Sequence, residues 1–145
     1  MPRSDFEGPQ GVAGSISVKP LDPASPGTTP YIIETKNPFE VLVEWEIHGP
    51  TAPFVGGEWQ LRLFIDPVDG LASTQGQLGP AALVPLGSPP SPPSPRPYSH
   101  TFQFGRNTVT KGVYHMTAVL TYDNGGAQLE MAAFAEIPFI EFYDV

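Results

Sequence analysis

The chain contains no cysteine, so neither a disulfide nor a cysteine-based zinc site can contribute to its stability or chemistry. Positive charge is scarce: 7 Lys and Arg stand against 15 Asp and Glu, a formal net charge of −8. Nucleic-acid binding needs cations at the phosphates, and this balance argues against it. No apolar run is long enough to cross a bilayer as a helix. The opening residues, Met1 to Glu7, lack the apolar core of a secretory signal, so with Met1 as the native start the expected location is cytoplasmic. Enzyme motifs are missing as well. The sequence holds no P-loop, no G-x-G-x-x-G, no G-x-S-x-G and no H-E-x-x-H.

Proline and glycine are abundant instead, at 19 and 15 of 145 residues. They cluster between segments that alternate apolar and polar residues, and so punctuate a fold. In Phe39 to Ile47, Val41, Val43, Trp45 and Ile47 share one face, and Glu40, Leu42, Glu44 and Glu46 share the other. Glu58 to Asp66 repeats the pattern, with Trp59, Leu61, Leu63 and Ile65 inward and Gln60, Arg62, Phe64 and Asp66 outward. Tyr98 to Phe104 is a third strand; Ser15 to Val18, Tyr31 to Thr35 and Ala81 to Leu86 are shorter ones. Val113 to Tyr122 and Ala127 to Ile137 flank Asp123-Asn124-Gly125-Gly126, where Asn-Gly suits a type I′ hairpin turn. A turn centred there pairs Leu120 with Leu129, Ala118 with Met131, and Met116 with Ala133. A helix over Gln128 to Glu136 is the competing reading, and the alternation favours a strand. The expectation is an all-β, antiparallel sandwich of about seven or eight strands. Residues 1–13 would be a flexible arm and 14–145 one domain, with a Pro-rich loop at 87–97.

Thr110-Lys111-Gly112-Val113-Tyr114, at the start of the penultimate strand, resembles the tyrosine corner of immunoglobulin-like domains. Met116 stands where antibody domains carry their second Cys, and Thr110 where Asp is common. The likeness is therefore to the cysteine-free branch, of the fibronectin type III kind. It implies an immunoglobulin-like sandwich in which the Tyr114 hydroxyl bonds back across the corner. It implies no function, since such sandwiches host unrelated ones.

Chemistry-bearing residues are dispersed. His48 and His115 fall on outward phases, and His100 shares its face with Tyr98, Phe102 and Phe104. Ser99 and His100, being neighbours along a strand, point to opposite faces and form no nucleophilic pair. Glu44 and Glu46, with Glu40, make a solvated acidic face. Asp66 and Asp69 are weak candidates for calcium, which wants six to eight oxygens. Trp45 and Trp59 lie on the apolar phase and are expected in the core, as structural residues beside Tyr114. No cofactor is implied. Six prolines in Gly87 to Pro97 suit a stiff polyproline segment, read here as a connection between strands.

The C-terminal segment 138–145 follows Glu136-Ile137 and is apolar on both faces of any strand it could form. It covers the outer face of its own chain or joins a neighbour by edge pairing, with contact to a membrane or a hydrophobic ligand as the remaining alternative. Pro138 marks a bulge or an edge there. Outer-phase Leu42, Phe64 and Phe134 add apolar positions beyond the core. The expectation is a non-catalytic association or structural subunit, docking on a protein partner or a second copy through Phe139, Ile140, Phe142 and Tyr143, with Phe134, Phe64 and Leu42. The alternative is a small-ligand or carbohydrate module, assisted by calcium.

Overall fold

The computed structural model describes residues 4–25, 27–52, 55–68, 74–87, 95–123 and 131–144. Among the described residues ten strands occur in this order: β1 (Ser4–Glu7), β2 (Ala13–Leu21), β3 (Ile32–Glu34), β4 (Phe39–His48), β5 (Glu58–Pro67), β6 (Gly76–Gln77), β7 (Ala82–Pro85), β8 (Arg96–Phe104), β9 (Gly112–Asp123) and β10 (Ala132–Tyr143). They form two sheets. The larger runs β1-β10-β9-β5-β6, with β3 also beside β10 and β7 also beside β5; the smaller runs β2-β4-β8. Every pairing is antiparallel except that of β3 with β10.

Period-two alternation fixes which faces meet. Val41, Val43, Trp45 and Ile47 of β4 are buried, as are Trp59, Leu61, Leu63 and Ile65 of β5. They pack with Met116, Ala118 and Leu120 of β9 and Ala133, Ala135 and Ile137 of β10 in one core. Burying one such side chain contributes roughly 1.5 to 3 kcal/mol, so the two inner faces hold the sheets together.

Three expectations need correction. Residues 4–13 are not a free arm, and residues 1–3 lie outside the described residues. Asp5 pairs with Phe134 and Glu7 with Ala132, while Phe6 turns inward against the core. A four-residue strand holds a single turn of alternation, too little to stand out in the sequence. The last hairpin is also set differently, since Leu120 faces Ala133 rather than Leu129, and Met116 faces Ile137 rather than Ala133. The slip is an even number of residues, so every side chain keeps its face. Asn124-Gly125 lies outside the described residues, as do Leu129 and Asp69. The third correction is the C-terminal segment. Through Tyr143 it neither folds over the outer face nor stands at an edge open to a neighbour, since β9 flanks it on one side and β3 on the other. It continues β10, with Tyr114 opposite Ile140, Gly112 opposite Phe142, and a one-residue bulge between Ile137 and Ile140.

Candidate functional site

That bulge sorts the apolar C-terminal residues. Before it, Ile137 faces inward. Pro138 and Phe139 then take up the extra position, and Ile140 and Phe142 resume the inward phase. Ile140 and Phe142 are therefore core residues, and their expected role in docking is corrected. Phe142 meets the Phe39 ring edge-on at 5.1 Å and the Tyr114 ring at 5.9 Å. Phe139 and Tyr143 are left outward.

The parallel strand β3 doubles this outward surface. Ile32 stands opposite Glu141, Ile33 opposite Phe142, and Glu34 opposite Tyr143. The Glu141 amide donates to the Tyr31 carbonyl at 2.8 Å, and the Thr35 amide to the Tyr143 carbonyl at 2.9 Å. Ile33 turns in and Ile32 out. The result is a patch of Tyr31 (41% exposed), Ile32 (64%), Phe139 (65%) and Tyr143 (38%), drawn from segments more than a hundred residues apart. The sequence placed Tyr31 and Ile32 in a short strand but not in this patch, because a three-residue strand carries no signal that it will pair with β10.

The remaining expected positions scatter. Phe134 and Phe64 lie half-buried on the outer face of the larger sheet, and Leu42 on that of the smaller one. Asp66 is exposed, and among the described residues no group of three His, Asp or Glu could hold a metal ion. His100 faces inward opposite Val43, its ring 4.7 Å from that of Phe102, and burial pushes its pKa down. The His115 Nε2 is shielded and makes no hydrogen bond; a Glu136 carboxylate oxygen lies 3.5 Å away. Glu44 is exposed on the outer face, with Glu46 beside it and 3.8 Å from His48.

Trp45 and Trp59 are buried, edge-to-face at 6.3 Å, and Tyr98 contacts both rings. Next to them is a group that sequence reading missed. Arg96 is 1% exposed, on the inward phase of β8 opposite Ile47. Its Nη1 donates to the carbonyls of Ala52 (3.0 Å) and Val55 (2.7 Å), and its Nη2 to that of Leu86. The Tyr98 hydroxyl shares the Leu86 carbonyl at 2.8 Å, and the Tyr122 hydroxyl donates to that of Gly56. Burial raises the Tyr98 pKa, against the opposing pull of the Arg96 charge. One end of the sandwich is thus fastened by a guanidinium whose partners, among the described residues, are carbonyls. The clue was phase: Arg96 continues the inward series of Tyr98, His100 and Phe102.

No family model and no curated protein matches the chain. Solved structures do. It is similar to the CARDB domain of a Pyrococcus furiosus protein in complex with di-metal ions, with 15% identity over 92% of this chain and 90% of that one, TM-score 0.51. The C-terminal domain of Wzt matches with 9% identity over 98% of this chain and 79% of that one, TM-score 0.59. The soluble domain of PmoD from a Methylocystis species matches with 15% identity over 92% and 97%, TM-score 0.44. At such identities the likeness is one of fold: an all-β, immunoglobulin-like sandwich.

Proposed function

We propose that this chain is a non-catalytic association domain that docks on a protein surface through the outward side of β10 and β3. The observation that carries the reading is the patch of Tyr31, Ile32, Phe139 and Tyr143, gathered on one sheet edge and open to solvent. Aromatic side chains bring large contact area at low entropic cost, which is why interfaces are rich in them. Isolated exposed apolar residues are ordinary, but four from distant segments on one surface are a recognised mark of association. Glu34 and Glu141 in the same pairing supply a polar rim.

The test is the mass in solution of the full chain and of its Phe139→Ser and Ile32→Ser variants, with a photo-crosslinking residue at position 139 in cells. A multimer that these variants dissociate, or one discrete crosslinked protein lost in the Ile32→Ser background, supports the reading. A monomer at every concentration that crosslinks to nothing overturns it. A second reading rests on Tyr31 and Tyr143, two exposed phenol rings that could stack on a saccharide; soluble oligosaccharides that quench tyrosine emission in the wild type and not in Tyr143→Ser would favour it. One structural neighbour is described as holding di-metal ions, and a melting temperature lowered by chelator would bring that property to this chain.

A further inference from the structure

At the other end of β10 the outer face of the same sheet is hollowed. A depression of about 560 Å³ is lined by Asp5 and Glu7 of β1, Ala132, Phe134 and Glu136 of β10, and Thr117 and Val119 of β9. Register explains its composition. Directly opposed residues share a face, so Asp5, Phe134 and Val119 form one row and Glu7 and Ala132 the next. Asp5 and Glu7 stand two residues apart, about 7 Å along the strand. Glu136 closes the rim from β10. The floor is apolar and the rim is acidic. Among the described residues no Lys or Arg lines the hollow, and neither Asp5 nor Glu7 has an ion-pair partner. Arg62, opposite Val119 on β5, is the cation in that row and is not among the lining residues.

We propose that this hollow is a second docking site, for an extended segment of a partner protein in which basic and aliphatic residues alternate. Charge complementarity selects the occupant. A chain with net charge −8 presenting three carboxylates repels a second copy of itself at this face and attracts cations. An aliphatic side chain covers Val119 and Ala132 on the floor, while Lys or Arg heads at either side reach Asp5, Glu7 and Glu136. The Phe134 side chain adds to the apolar lining. An open depression on a sheet face suits a polypeptide lying across it, where a small molecule would remain largely in water. The site is separate from the Tyr31–Phe139 patch, and neither proposal depends on the other.

The experiment is fluorescence anisotropy of the full chain with a labelled octapeptide of alternating Arg and Leu, and with its Glu-and-Leu counterpart. The expected result is binding of the basic peptide that weakens as salt rises, with none for the acidic one. Asp5→Asn combined with Glu7→Gln raises the dissociation constant at least tenfold, and so does Phe134→Thr. Phe139→Ser leaves it unchanged. Asp5 and Glu7 are exposed, so the double variant keeps the fold, and its melting curve checks this. Equal binding of both peptides, no binding of the basic one, or an unchanged constant in the double variant overturns the proposal. A wild-type multimer that Phe134→Thr dissociates would seat a second copy in the hollow and overturn it equally.

Discussion

Tyr114 shows how one hydroxyl fixes a corner. Its oxygen donates to the Thr110 carbonyl at 2.9 Å and lies 2.7 Å from the Thr110 Oγ1, with its ring buried in the core. Gly112, two residues earlier, has φ of +148°, a region L side chains rarely adopt, and this lets the chain turn into β9 at that point. The accepting group is a backbone carbonyl, so Thr in place of the commoner Asp leaves the bond intact. Tyr114→Phe is expected to cost about 1 kcal/mol in denaturant unfolding, because it removes the part-buried hydrogen bond that closes the corner. Arg96 is the harsher case. A buried guanidinium is tolerated only while its donors are matched, and here it also holds carbonyls from two separate loops. Arg96→Met keeps much of the volume but leaves the Val55 carbonyl without its donor, while the Ala52 carbonyl keeps the Val55 amide and the Leu86 carbonyl keeps the Tyr98 hydroxyl. A loss of about 2 kcal/mol is expected. Proteolysis cutting the wild type and Arg96→Met equally would show that the loops do not depend on the clamp.

At the scale of elements, β10 divides its labour at the bulge, and substitutions at Phe139 and Phe142 should behave oppositely. Phe142→Ala empties a packed position between Phe39 and Tyr114 and is expected to cost about 3 to 5 kcal/mol. Phe139→Ser, on the exposed side, should leave the unfolding midpoint nearly unchanged while altering association. Urea titration of both variants decides it. The inward phases of β4, β5, β8 and β9 were legible in the sequence, because alternation over seven or more residues is set by local stereochemistry. Register was less so: the faces of Leu120, Ala118 and Met116 came out as read, but their partners lie four residues further along β10. Strands β1 and β6 were illegible, being too short to alternate. The patch was half legible. Phe139 and Tyr143 stood out in an apolar terminus, whereas Tyr31 and Ile32 joined them only through a parallel pairing that no local pattern announces.

For the molecule as a whole, β10 is an interior strand of the larger sheet, flanked by β9 on one side and by β1 and β3 on the other. The segment beyond Pro138 carries the whole pairing with β3 and two core residues. A chain ending at Pro138 is therefore expected to lose its cooperative melting transition by circular dichroism, where removal of a dispensable tail would leave it intact. The same topology bears on the order of events during synthesis. Domains tend to acquire structure from the N-terminus as the ribosome releases them, but β1 and β3 must wait for a partner encoded more than a hundred residues later. Until residues 132–143 emerge, β9 has one bare edge and Phe6, Ile33 and Phe39 have no apolar surface from β10 to cover them. The nascent chain thus stays aggregation-exposed until that segment has emerged, a window in which a holding chaperone would find its binding surface.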